Sequence, residues 1–165
     1  MTNKAKNNEK ENKVWKKQIC KLIDFSHKKG FDVEFISSNE SSHVCFRTNT
    51  IYLNKKSSLE LICYTFLHEI GHVLAMSRKK TYAERFGLVF VGFGAATLTS
   101  RVVQIEEEYD AWEKGLKLAK KLGLKLNRRK FETHKAKCIL TYAEALVLGH
   151  HARALKAAAK KASAE

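Results

Sequence analysis

The sequence predicts a helix-rich α+β domain with a small antiparallel sheet ahead of its central helix. Proline is absent from the 165 residues, and Lys, Leu, Ala and Glu are abundant, a balance that favours helices. Apolar residues recur at helical spacing in several stretches, whereas residues 31–53 hold the short alternating runs typical of strands. The apolar fraction of 44% is that of a globular chain, and the length fits one domain with a real core.

Residues 1–12 carry nothing apolar beyond Met1 and Ala5 and are expected to form a disordered basic tail. The folded domain is expected over residues 13–152, and residues 153–165 form a second basic tail rich in Ala and Lys. A first helix begins near Val14, with Val14, Trp15, Ile19, Leu22, Ile23 and Phe25 as its apolar stripe and Gly30 as its cap. Phe31 to Ser37 alternates Phe31, Val33 and Phe35 with Asp32 and Glu34. Val44 to Arg47 and Thr50 to Leu53 follow, joined by the turn-prone pair Thr48-Asn49, and the three runs read as an antiparallel sheet.

Ser57-Ser58-Leu59-Glu60 has the S-x-x-E pattern of a capping box and starts a helix expected from Ser58 to about Ser77. A basic loop at Arg78-Lys79-Lys80 leads to an apolar run from Phe86 to Leu98 that contains Gly87, Gly92 and Gly94. That run is well short of the roughly 20 residues needed to span a bilayer, so no membrane partner is expected. A long helix from about Thr99 to Leu122 carries Val102, Val103, Ile105, Trp112, Leu116 and Ala119, and Gly123 stops it. Residues 131–161 make a last helix or helix pair.

The central helix carries the chemistry. It reads Phe66-Leu67-His68-Glu69-Ile70-Gly71-His72-Val73-Leu74, an H-E-x-x-H motif in apolar surroundings. Two imidazoles four residues apart project from one face of a helix, one turn above the other, so both reach one metal ion. Zinc (Zn2+) held by imidazoles and one further protein ligand keeps an open position and acidifies water there, and Glu69 is placed to take the proton. The pattern points to metal-assisted hydrolysis. Polar groups on so apolar a helix need such a reason, because burying them without partners is costly.

Net charge is +14, unevenly spread. Residues 1–17 hold six Lys against two Glu, residues 114–137 hold eight Lys and two Arg against Glu132, and residues 153–165 hold four basic groups against Glu165. The basic character therefore belongs to the tails and one helical surface, where nucleic acid or an acidic protein is a candidate partner. No nucleic-acid reading motif accompanies the charge. Cys20, Cys45, Cys63 and Cys138 form no C-x-x-C pair, so they read as reduced thiols rather than a disulfide framework or a zinc ribbon. The polar amino terminus lacks the apolar stretch of a secretory signal, and a cytoplasmic location is expected.

A catalytic zinc takes three protein ligands. The metzincin continuation would need Gly where Ala75 stands and a ligand where Arg78 stands, which excludes that class. Gluzincins draw a Glu from a later helix, and Glu106-Glu107-Glu108-Tyr109-Asp110-Ala111-Trp112 is the acidic cluster downstream.

From about Ile51 to Leu122 the chain resembles the ImmA/IrrE-type zinc metallopeptidases, which include relatives in phages and mobile elements. In that family an H-E-x-G-H helix is followed by E-x-E-A-N, whose first Glu completes the metal site. Glu108 and Ala111 match that motif, Asp110 matches conservatively, and Trp112 stands where Asn or Asp is usual. The resemblance implies a zincin-like fold, with His68, His72 and Glu108 as zinc ligands and Glu69 as general base, and Glu107 as the second choice of third ligand. It implies peptide-bond hydrolysis in a protein substrate, by analogy limited proteolysis of a regulator such as a helix-turn-helix repressor. Helical periodicity adds that Glu108 shares the face of Ile105, Trp112 and Leu116. Glu106 and Glu107 lie about 160° and 100° away, toward solvent or the stripe's edge. Tyr142, His134 and His150 are candidate oxyanion donors, and His134 and Cys138 share i,i+4 spacing. The rival reading is a non-catalytic zinc-containing protein that uses its basic surface to bind nucleic acid or a protein partner.

Overall fold

The structure, a computed structural model, describes residues 3–76 and 98–162. Helix α1 (Asn3–Lys28) leads into strands β1 (Asp32–Ile36), β2 (His43–Cys45) and β3 (Thr50–Asn54). Helices α2 (Leu59–Met76), α3 (Leu98–Lys121) and α4 (Arg128–Ala162) follow. The architecture is α+β and helix-rich, as the sequence predicts. The Arg78-Lys79-Lys80 loop and the glycine-rich run before Leu98 lie outside the described residues.

Helix α2 is the hub and packs against α1, β2, β3, α3 and α4. It has the length and apolarity of a membrane span, but neighbours on several sides account for that composition: Ile62, Cys63, Tyr64, Phe66, Leu67, Ile70 and Val73 are all buried. Leu22 of α1, Ile51 and Leu53 of β3, Trp112 of α3 and Phe131 of α4 close over them with almost no exposure. Burying each such side chain stabilises the fold by roughly 1.5–3 kcal/mol. Tyr64 sits at the junction, its ring edge-on to both Trp15 and Phe131.

The sheet differs from expectation in strand direction. Its order is β1-β3-β2, with β2 antiparallel to β3 but β1 parallel to it, Val33 lying opposite Ile51. Alternating side chains fix which face of a strand is buried, not which way its neighbour runs. Asn49 takes the left-handed conformation (φ 52°) in the turn between β2 and β3, as a turn-prone Asn allows.

Helix boundaries differ at three places. Residues 3–12, expected to be disordered, belong to α1, while residues 8–14 are exposed and the buried stripe begins only at Trp15. Once the packed segment has nucleated a helix, extension through Lys, Asn and Glu requires propagation alone. The last helix is one element that starts at Arg128, because the Asn127 Oδ1 accepts the Lys130 amide at 3.1 Å, and it runs through the expected second tail as far as Ala162. At the start of α2 it is Ser58 that caps, its Oγ accepting the Leu61 amide, while Glu60 turns outward to the Tyr64 hydroxyl and Lys130. Gly30 (φ 78°) and Gly123 (φ 63°) end α1 and α3 as expected, and the Phe31 and Leu124 amides close back onto the Ser26 and Ala119 carbonyls.

Candidate metal centre

Helix α2 sets His68 and His72 one turn apart, with ring centroids 4.5 Å from each other. Both Nε2 atoms turn to the same side and lie 3.1 Å apart. Helix α3 crosses α2 closely enough that a Cβ on Gly71 would lie 1.9 Å from the Ala111 carbonyl oxygen, and one on Gly115 would lie 2.3 Å from that of Leu67. Glycine at both points lets backbone meet backbone. One turn before Ala111, Glu108 therefore reaches across, its Oε2 3.1 Å from His68 Nε2 and 3.7 Å from His72 Nε2.

These three ligand atoms form a compact triangle, all within 4.8 Å of one another, and among the described residues they are the group of three suited to one metal ion. Two imidazole nitrogens and a carboxylate are a donor set that zinc takes. The fit is also electrostatic. Burial alone would lower the His72 pKa, but hydrogen bonds to Glu107 and Glu108 and the charge of Glu69 outweigh it and push it up to about 10. Burial would likewise raise the Glu108 pKa, yet hydrogen bonds from His68 and His72 hold its carboxyl well below the usual range. The cavity favours positive charge, which is what a cation site requires.

Glu69 is buried at 5% exposure. Burial raises its pKa, the charges of His68 and His72 oppose the rise, and the carboxylate of Glu108 adds to it. A carboxylate so placed is a stronger base than one in water. His43, on β2, also acts electrostatically on Glu69, so the sheet's edge strand borders the site.

Of the acidic cluster on α3, Glu106 is exposed and Glu108 points inward, and Glu107, expected toward solvent or the stripe's edge, is as buried as Glu108. Its Oε1 lies 3.3 Å from His72 Nδ1, on the ring nitrogen opposite to the one Glu108 approaches. Helical periodicity treats one face of α3, whereas the His72 side chain spreads over two neighbouring positions of that helix. Its interaction with both nitrogens is invisible in a one-dimensional pattern. Trp112 is buried and stacks on His68, with ring centroids 4.4 Å apart and planes 22° from parallel.

Helix α4 contributes the outer wall. The Tyr142 hydroxyl hydrogen-bonds Glu108, and its pKa is raised by burial first and by that carboxylate second. His134 Nε2 lies 3.4 Å from Thr65 Oγ1 and 3.9 Å from Cys138 Sγ. Burial and the nearby His68 lower its pKa. The side chain of His150 lies outside the described residues.

The sequence model of the family described as Peptidase_M78, IrrE N-terminal-like domain, matches residues 28–128. That span covers the sheet, α2 and α3, and hence every residue of the triangle and Glu69. No curated protein and no solved structure shows significant similarity to the chain.

Proposed function

The chain belongs to the Peptidase_M78 family of IrrE N-terminal-like domains, a metallopeptidase-type family. From that premise we propose that it is a zinc-dependent peptidase that hydrolyses a peptide bond in a protein substrate. The observation that carries the proposal is the convergence of His68 Nε2, His72 Nε2 and Glu108 Oε2 beside the buried carboxylate of Glu69.

His68, His72 and Glu108 hold the ion. When bound there, zinc supplies Lewis acidity to the scissile carbonyl and lowers the pKa of a water molecule. Glu69 accepts the proton of the attacking water and passes it to the leaving amide nitrogen, a shuttle favoured by its raised pKa. Tyr142, whose hydroxyl donates to Glu108, steadies that carboxylate from α4. β2 has one hydrogen-bonded strand neighbour among the described residues, and its outer edge offers backbone groups to an extended peptide.

The test uses a proteome-derived peptide library, with new termini read by mass spectrometry. The zinc-loaded protein is expected to create termini, and Glu69→Gln is expected to create none while keeping its metal. Cleavage undiminished in Glu69→Gln, or no cleavage by the metal-loaded wild type, contradicts the proposal.

A further inference from the structure

We propose that Glu107 is the positioning residue of this site: its carboxylate holds the proton of His72 on Nδ1 and so aims the Nε2 lone pair at the point shared with His68 and Glu108. The inference rests on the reading of those three residues as metal-holding. It adds a residue that neither the H-E-x-x-H motif nor the family match assigns.

The geometry distinguishes Glu107 from a ligand. Adjacent residues of a helix diverge by about 100°, so Glu107 and Glu108 cannot approach one atom of α2 from the same direction. They approach opposite nitrogens of one ring instead: Glu107 Oε1 is 3.3 Å from Nδ1, and Glu108 Oε2 is 3.7 Å from Nε2. Both carboxylates are 8% exposed, so water does little to screen either contact. A neutral imidazole carries one proton, and a carboxylate at one nitrogen keeps it there, leaving the other nitrogen as the acceptor or ligand. The same contact raises the basicity of Nε2 and fixes the ring's plane.

His68 is held by different means. Its Nδ1 is buried and has no hydrogen-bond partner among the described residues, and its orientation comes from the face of Trp112 stacked on it. One histidine of the pair is thus oriented by a charged hydrogen bond and the other by ring contact. Stacking fixes a plane but does not choose between tautomers. The choice of tautomer at His72 therefore falls on Glu107.

Zinc affinity, measured on the full chain by competition with a chromophoric chelator, tests this on wild type, Glu107→Ala, Glu107→Gln and Glu108→Ala. Glu107→Ala is expected to lose about 10- to 100-fold, the range for removing a partner of a metal-bound His. Glu107→Gln, whose amide oxygen still accepts from Nδ1–H, is expected to recover most of that loss. The His72 Nδ1 proton, followed by 1H–15N NMR of the zinc-loaded protein, is expected to exchange slowly in wild type and Glu107→Gln and fast in Glu107→Ala. Wild-type affinity in Glu107→Ala, or an equal loss in Ala and Gln variants with the Nδ1 proton still protected, overturns the positioning role. Zinc lost from Glu107→Ala but retained by Glu108→Ala makes Glu107 the ligand and also overturns it. A wild type that binds no zinc removes the underlying metal reading, an outcome distinct from all of these.

Discussion

A carboxylate buried against two imidazoles persists only where positive charge shares the cavity, because an isolated buried anion costs several kcal/mol. Glu108 is in that position, and a proton on the histidines or a metal between them supplies the charge. On the proposed reading, removal of Glu108 takes a donor from the metal, whereas removal of the exposed Glu106 takes none. Glu108→Ala is expected to weaken zinc binding by about tenfold or more, a scale reached even by losses of indirect partners. Glu106→Ala is expected to leave it unchanged within error. Chelator competition on the two variants checks the pair, and similar affinities for both would contradict the geometry. At this scale the sequence is informative about residues on one helix, because the i,i+4 spacing of His68 and His72 is itself the geometry. It is less informative about Glu107, whose contact with His72 depends on how two helices are rotated against each other.

At the scale of elements, the site exists because the backbones of α2 and α3 meet directly at two points. Gly71 faces the Ala111 carbonyl and Gly115 faces that of Leu67, so two glycines, one on each helix, set the separation that lets Glu108 reach the histidines. Alanine at either position would gain up to about 1 kcal/mol of helix propensity. The added Cβ would have to push backbone from backbone, and such overpacking costs about 1–3 kcal/mol. Gly71→Ala and Gly115→Ala are each expected to lower the urea midpoint and to weaken metal binding as Glu108 retreats. A variant with unchanged or raised stability would show that the helices are not in contact there. The elements themselves are largely legible, since caps such as Gly30 and Gly123 and apolar stripes mark helices in one dimension. The parallel pairing of β1 with β3 is not legible, because it depends on what the strand packs beside, and neither is the helical start of α1 at Asn3, which extends an exposed segment outward from the packed turns that begin at Trp15.

For the whole molecule, a net charge of +14 looks hostile to a cation site. The Debye length of about 8 Å at physiological salt resolves the conflict, since distant surface lysines are screened while buried groups in contact are not. At His72 the hydrogen bonds to Glu107 and Glu108 and the charge of Glu69 outweigh the effect of burial. Composition thus describes the surface, and the H-E-x-x-H helix with its partner carboxylates describes the function. The central claim is that His68, His72 and Glu108 together hold a metal ion. Its most direct test is the metal content of the purified protein after exhaustive dialysis, measured by inductively coupled plasma mass spectrometry beside His72→Ala. Wild type is expected to retain about one zinc per chain, held by its three protein ligands, and folded His72→Ala to retain essentially none. Metal at background level in wild type, or equal metal in the two proteins, would contradict the account.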